Sequence, residues 1–112
     1  MSESPQVAVI GAGGCEPGSE PAELAEEVGR LLAGAGVAIV CGGLTGVMEA
    51  ACRGATEAGG VAIGIVPGNE ASEANPFCTH VVATGIGHAR NLAVVSSGQA
   101  VIAIGGEWGT GW

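Results

Sequence analysis

Short apolar runs alternate with amphipathic stretches along the chain, and glycine-rich turns separate them. The apolar runs are continuous, which is typical of strands buried on both faces; they are 7–10, 37–40, 61–66, 81–83 and 100–104. The stretches between them have helical spacing at 22–33, 46–58 and 88–98, and a polar loop occupies 68–80. The order β-α-β-α-β-loop-β-α-β predicts an α/β fold, with a parallel sheet of about five strands and helices on both faces.

The first helix shows the amphipathic pattern most clearly. In AELAEEVGRLLA, leucine and valine recur at helical spacing and the glutamates occupy the opposite side. This pattern predicts an apolar face formed by Leu24, Val28, Leu31 and Leu32. The GAG at 34–36 predicts that the helix ends there.

Composition fits a small α/β domain and narrows the choice of partners. The 112 residues favour one domain spanning 1–112, with 47% hydrophobic and only 3% aromatic residues. Eleven glutamates stand against three arginines, giving a net charge of −8 with no lysine and no aspartate. Such a surface repels nucleic acid and anionic membranes, so neither is expected as a partner. No signal peptide or long apolar span is evident, so we expect a cytoplasmic protein.

The four cysteines show no metal-binding or disulfide pattern. Cys15, Cys41, Cys52 and Cys78 lack CxxC spacing. We therefore interpret them as small residues of the interior in a reducing compartment, and we predict no metal site.

Glycine clusters follow every predicted strand. In a parallel sheet these turns meet at the carboxyl edge, where open α/β folds bind ligands. Tight turns alone can explain one such cluster, but five on one edge favour a nucleotide or phosphate site built from backbone N–H groups. The candidate glycines are Gly11, Gly13 and Gly14 after the first strand, Gly42, Gly43 and Gly46 after the second, and Gly105, Gly106 and Gly109 after the fifth.

Two side chains in TGIGHARN add candidate chemistry at the same edge. Arg90 is placed to neutralise a phosphate, although a surface ion pair with a glutamate is the alternative. His88 is either an acid–base group or a polar residue at a helix start. Arg30 and Arg53 lie within glutamate-rich helices and are interpreted as structural. The chain has no lysine, which excludes a Walker-type phosphate loop.

Four ordered motifs resemble one known superfamily over about residues 7–110. VAVIGAGG, CGGLTGVMEAACRGATEAGGVAIGIVPG, ANPFCTHVVATGIGHARN and AVIAIGGEWGT are similar to the Rossmann-like "Lonely guy" or lysine-decarboxylase-like (SLOG) superfamily. The GVMEAA and TGIG-x-ARN forms resemble its branch with molybdenum-cofactor carrier proteins and uncharacterised nucleotide-binding proteins. The resemblance implies a Rossmann-like fold and binding of an AMP-like nucleotide or of molybdenum cofactor.

The resemblance also assigns site residues. Gly105, Gly106, Gly109 and Thr110 match the family's G-G-x-G-T phosphate motif, His88 and Arg90 match its H-x-R segment, and Gly42, Gly43 and Gly46 match its second phosphate-side loop. Gly11 to Gly14 are expected to leave room for the base or ribose.

The alternative activity is hydrolysis of the N-glycosidic bond of a nucleoside 5′-monophosphate, with Arg90 as the candidate catalytic residue. The motif's glutamate, three residues after Thr110, has no counterpart, so whether this chain is an enzyme stays open. A last helix is also absent from the pattern. We therefore expect either a chain truncated at its C-terminus or a homo-oligomer, a dimer or a tetramer.

Overall fold

The computed structural model describes residues 5–105 and contains a five-stranded parallel sheet. The strands are β1 (Gln6–Gly11), β2 (Ala38–Cys41), β3 (Ala62–Val66), β4 (His80–Ala83) and β5 (Val101–Ile104). The helices are α1 (Glu20–Gly34), α2 (Val47–Glu57) and α3 (Arg90–Ser97), with short 3₁₀ turns at Ala71–Glu73 and Gly87–Ala89. The predicted element order and the α/β fold class are confirmed.

The strand order is β4-β3-β2-β1-β5, and every neighbouring pair is parallel. The chain adds strands on one side of β1 as far as β4 and then crosses back to place β5 on its other side. Because βαβ crossovers are right-handed, this reversal puts α1 and α2 on one face and α3 on the other. The reversal also makes the carboxyl ends of β1 and β5 the place where a doubly wound sheet opens a crevice.

A core lies on each face of the sheet. The larger core packs α1 and α2 against the sheet and includes Val9, Ile39, Met48, Ala51 and Cys52. The smaller core lies under α3 and consists of Ala8, Ile10, Val40, Ile65 and Val94. Alternate residues of β1 and β2 enter opposite cores, as the period-2 geometry of a strand requires.

The packing face of α1 differs from the predicted leucine stripe. Leu24 and Leu31 are 52% and 59% exposed, so their assignment to the buried face was wrong. The buried positions are instead Ala22, Ala25 and Gly29. The reason is a close approach of α2, because a Cβ on Gly29 would collide with the carbonyl oxygen of Ala51. Small residues therefore occupy the contact, and the leucines lie beside it or face outward.

The α3 side leaves apolar side chains accessible. Val82 on β4 and Val101 on β5 are exposed, and Leu92 of α3 is 71% exposed. Register with Ile65 and Ala8 places Val82 and Val101 on the α3 face of the sheet. Within residues 5–105, no helix combines the length and the apolarity that crossing a bilayer requires.

Candidate functional site

The loops after β1 and β2 form one hydrogen-bonded unit at the carboxyl edge. The N–H of Val47, the first residue of α2, donates to the carbonyl of Ala12 over 3.0 Å. The hydroxyl of Thr45 donates to the carbonyl of Gly13 over 2.8 Å. The β1–α1 loop is therefore held against the start of α2, and the two loops present one surface to a ligand.

Gly46 permits this contact. Its φ is +70°, and a Cβ there would collide with the carbonyl groups of Ala12 and Gly13. A residue with a side chain would both strain the backbone and push the β1–α1 loop away. Gly46 thus has a packing role, and its predicted contact with a ligand stays a prediction.

Gly43 is also required by packing. Its φ is +76°, and a Cβ there would lie 2.7 Å from Cγ1 of Val66 and 3.1 Å from Cα of Gly64. Its N–H donates to Sγ of Cys41 over 3.3 Å, so this donor is already engaged. Both Gly42 and Gly43 are buried. This loop is therefore held by internal contacts, which limits the backbone donors that it can offer.

Asn75 holds the same loop in place through hydrogen bonds, and the sequence analysis did not identify it. Its backbone N–H donates to the carbonyl of Gly43 over 2.8 Å, and its side-chain amide donates to that of Leu44 over 2.8 Å. Its Oδ1 accepts from the N–H of Phe77 over 2.9 Å. Asn75 is 8% exposed although it belongs to a polar segment. The only local feature of the sequence at this position is the Asn-Pro pair, which indicates a turn and not a contact with the β2–α2 loop.

The TGIG turn is fixed against the end of β3 and leads directly into α3. The hydroxyl of Thr84 donates to the carbonyl of Val66 over 2.8 Å, and the N–H of Gly87 donates to that of Pro67 over 2.9 Å. Gly85 and Gly87 have φ of +68° and +63°. The turn therefore sets where α3 begins, which determines the position of Arg90.

Arg90 and His88 occupy very different surroundings. Arg90 occupies the first position of α3, near the helix start that the sequence predicted, and it is only 1% exposed, so it is not a surface arginine. Burial lowers the pKa of the Arg90 guanidinium, and the nearby Cys41 thiol partly opposes that shift. His88 is exposed on the preceding 3₁₀ turn. The edge of the sheet thus has a buried positive charge and a solvent-facing imidazole.

The other two arginines lie on α1 and α2, as their glutamate-rich surroundings predicted. Arg30 forms an ion pair with Glu27. Nε of Arg53 is 3.2 Å from Glu57 and 3.7 Å from Glu26.

The remaining described glycine candidates differ in how tightly they are packed. Gly11 is buried, and a Cβ there would lie 2.5 Å from the carbonyl oxygen of Ile104 and 2.8 Å from Cγ1 of Val47. Gly14 is exposed, with open space where a Cβ would be. Gly105 has a φ of +64° and lies beside Pro21 in the first turn of α1. The predicted site residues Gly106, Gly109 and Thr110 lie outside the described residues.

A cavity of about 370 Å³ opens beside the joined loops, between the first turns of α1 and α2. Its apolar lining includes Ala22, Ala50 and Phe77. Its volume is within the range of small-molecule sites. The residues that line it come from the β1–α1 loop, the β2–α2 loop, both helices and, for Phe77, the segment before β4. The cavity therefore lies at the edge where the sequence predicted ligand binding.

The charged lining of the cavity is mainly acidic. Three carboxylates, Glu23, Glu26 and Glu49, face one guanidinium, that of Arg53. Arg53 also lies over the Phe77 ring, 5.8 Å from its centroid. This lining attracts hydrogen-bond donors and cations and repels phosphate. None of these carboxylates was singled out from the sequence, because each was interpreted as part of a solvated helix face or left without a role.

Comparison with known proteins assigns the family. A model of the SLOG cluster4 family matches residues 4–111. The chain belongs to the SLOG cluster4 family. An uncharacterised protein of Archaeoglobus fulgidus is 43% identical over 105 residues, which are 94% of this chain and 68% of that protein.

Two solved structures of similar proteins share the fold closely. One is the molybdenum cofactor binding protein of Rippkaea orientalis, at 35% identity and a TM-score of 0.91, covering 98% of this chain and 68% of that one. Another is the molybdenum cofactor carrier protein of Chlamydomonas reinhardtii, at 33% identity and a TM-score of 0.83, covering 95% and 66%. The SLOG chain described here therefore spans about two thirds of the length of these relatives, and the Rossmann-like fold is confirmed.

Proposed function

We propose that this SLOG protein binds a phosphate-bearing heterocyclic ligand, a nucleotide or molybdenum cofactor, at the carboxyl edge of its sheet. The observation that carries the proposal is the cavity beside the β1–α1 and β2–α2 loops. Similarity to molybdenum cofactor binding proteins over nearly the whole chain supports the same assignment. The fold alone would not do so, because one fold hosts many functions.

The charges of the site suggest which end of the ligand enters the cavity. Phosphate is unfavourable beside Glu23, Glu26 and Glu49, whereas a purine or pterin ring presents N–H and amino groups that carboxylates accept. We therefore place the heterocycle in the cavity. The phosphate lies outside it, towards Arg90 and Gly105.

The two parts of this site are connected through the first turn of α1. Gly105 lies against Pro21, and the next residue, Ala22, lines the cavity. A ligand that extends from the cavity past Pro21 reaches the end of β5, next to the strand reversal. The fit holds for either ligand class, because both join a flat, donor-rich ring to a phosphate.

Hydrolysis of a nucleoside 5′-monophosphate is the second candidate function. Such a reaction needs a carboxylate to stabilise an oxocarbenium-like centre or to activate water. The cavity supplies carboxylates of its own, and Glu49 lies at the start of α2 beside the joined loops. Glu49 is therefore the carboxylate that we assign to this alternative reaction.

The test compares retention with cleavage. The chain is incubated with AMP, with GMP and, under anaerobic conditions, with molybdenum cofactor freshly released from a molybdoenzyme, and protein-bound and free fractions are separated. Retention of an intact ligand, lost on Glu49→Gln and kept on Glu70→Gln, supports a binding protein; Glu70 is exposed and does not line the cavity. Free adenine or guanine with ribose 5-phosphate supports the hydrolase. If none of the three ligands is retained or cleaved, the proposal is contradicted.

A further inference from the structure

Three of the four cysteines meet beneath the β2–α2 loop, although their sequence spacing gave no sign of it. Cys41 ends β2, Cys52 lies in the middle of α2, and Cys78 lies just before β4. Sγ of Cys52 is 3.4 Å from that of Cys41 and 3.9 Å from that of Cys78. The thiols therefore form a chain with Cys52 at its centre, which we call the thiol chain.

One end of the thiol chain is accessible to small molecules. Cys41 and Cys52 are fully buried, whereas Cys78 is partly exposed. A dissolved oxidant therefore meets Cys78 first. The hydrogen bond with the Cys52 thiol lowers the pKa of Cys78, which favours the reactive thiolate. The pKa of Cys52 is raised instead, because Cys52 is hydrogen-bonded to Cys41 and Cys78 and is buried. These opposite shifts favour Cys52 as the hydrogen-bond donor and the Cys78 sulfur as the acceptor.

The sheet makes room for this thiol. Gly64 lies in the interior of β3, where glycine normally weakens a strand. A Cβ at Gly64 would lie 2.6 Å from Sγ of Cys78 and 3.0 Å from Cα of Gly43. The glycine in the strand is therefore explained in part by the position of the Cys78 sulfur.

We propose that Cys78 is an oxidant-reactive thiol and that Cys52 is its resolving partner, so that the two close a reversible disulfide within one chain. The oxidant is a peroxide. The Cys78 thiolate attacks one oxygen of hydrogen peroxide; an S–O bond forms, the O–O bond breaks, and the leaving hydroxide takes a proton to become water. Cys78 is then a sulfenic acid, oxidised by two electrons.

The second step closes the disulfide. The Cys52 sulfur attacks the Cys78 sulfur, its proton leaves with the displaced hydroxyl as a second water, and an S–S bond forms. Two thiols and one peroxide thus give one disulfide and two waters. The sulfur atoms must approach from 3.9 Å to about 2 Å. We expect Cys78 to supply most of this movement, because Cys52 is buried within the larger core whereas Cys78 packs at its edge in the segment before β4.

Digestion with trypsin shows which cysteines are linked, because the chain has arginine only at 30, 53 and 90 and no lysine, so cleavage separates Cys78 from Cys52. Cys15 falls in peptide 1–30, Cys41 and Cys52 in 31–53, and Cys78 in 54–90. The reduced chain is treated with equimolar hydrogen peroxide, remaining thiols are blocked with N-ethylmaleimide, and the non-reduced digest is analysed by mass spectrometry. We expect 31–53 linked to 54–90, release of the link by dithiothreitol, and alkylated Cys15.

Variants assign the two roles. Cys78→Ala is expected to abolish the link, and Cys52→Ala is expected to leave a sulfenic acid on Cys78 that dimedone labels. Cys15→Ala is the matched control and keeps the link. Brief dimedone trapping in the unsubstituted chain identifies the first oxidised thiol even if Cys52→Ala fails to fold. Labelling of Cys15 before Cys78, alkylated Cys78 after peroxide, or a link that survives Cys52→Ala through Cys41 would overturn the proposal.

Discussion

Gly54 of α2 lies directly against the carbonyl oxygen of Glu26 in α1, with no room for a Cβ between them. Gly29 of α1 meets the carbonyl of Ala51 in the same way. The two helices therefore touch backbone to backbone, and this contact fixes the spacing of their first turns. The width of the cavity between those turns depends on the same contact.

The first prediction concerns this contact. Gly54→Ala is expected to destabilise the protein by about 3 kcal/mol, because the added methyl group must push two helices apart. Chemical denaturation checks the value. The matched control is Gly34→Ala, at the exposed end of α1 with open space where a Cβ would be; it should leave stability unchanged or raise it by up to about 1 kcal/mol. Equal effects of the two changes would contradict the contact.

The second prediction separates steric displacement from backbone strain. Gly46 and Gly59 both have positive φ, but only at Gly46 would a Cβ meet other atoms, those of Ala12 and Gly13, and Gly59 does not line the cavity. Both alanine variants should lose about 1 kcal/mol from strain. Gly46→Ala should in addition weaken ligand binding at least tenfold, because it displaces the β1–α1 loop. Calorimetric titration with whichever ligand is retained measures this, and unchanged affinity would count against the joined loops as the site.

The third prediction concerns Asn75. Replacing it with alanine leaves the carbonyl of Leu44 and the N–H of Phe77 without their partners, which should cost about 1–3 kcal/mol. Asn69→Ala provides the control, since Asn69 is an exposed asparagine of the same segment. Hydrogen exchange of the amides of residues 42–46 should accelerate in the first variant alone. If both variants behave alike, Asn75 does not hold the loop.

The fourth prediction is a pH dependence. The hydrogen bond from Cys52 lowers the pKa of Cys78 from the ordinary thiol value of 9.0, so the thiolate persists at lower pH. Alkylation of Cys78 by iodoacetamide should therefore reach half its maximal rate below pH 9. Cys52→Ala removes the donor and should move the profile to higher pH, whereas Cys41→Ala retains the contact and should move it less. If neither substitution changes the pH profile, Cys52 is not the cause of the lowered pKa of Cys78.

The fifth prediction concerns assembly. We propose that the apolar α3 face, with Val82, Leu92 and Val101 exposed, is where this chain self-associates. Leu92→Glu should lower the assembled fraction measured by light scattering. Leu31→Glu, a matched change at an exposed leucine of α1, should not. The opposite result would move the interface to α1, and a monomeric parent chain would exclude assembly.

The sequence predicted the backbone far better than the contacts that hold the site. Every strand was recognisable because Val, Ile and Ala dominate each run and a turn that contains glycine follows it. Arg90 was placed correctly at a helix start because TGIG marks the turn before it. These features are local, and local chemistry determines them.

Contacts between distant segments were not predictable in the same way. Leu24 and Leu31 were assigned to the buried face, because hydropathy cannot show that α2 comes too close for a leucine. In the sequence Asn75 resembles any other loop asparagine, because its hydrogen bond to the carbonyl of Gly43 joins segments that are far apart in the chain. Likewise, Cys52 and Cys78 are 26 residues apart, and only the packing of α2 against the segment before β4 brings their sulfurs together.

The return of β5 to the side of β1 has a consequence for folding. β1 precedes the other four described strands in the chain, yet one of its two edges pairs with β5, which follows all of them, and the N–H of Gln6 donates to the side chain of Gln99 across 93 positions of sequence. Pairing over such a separation slows folding, because a large loop must close before the contact forms. During synthesis on the ribosome, β1 therefore has an open, apolar edge until β5 emerges. Chaperones that bind extended apolar segments are expected to act on the nascent chain during this interval.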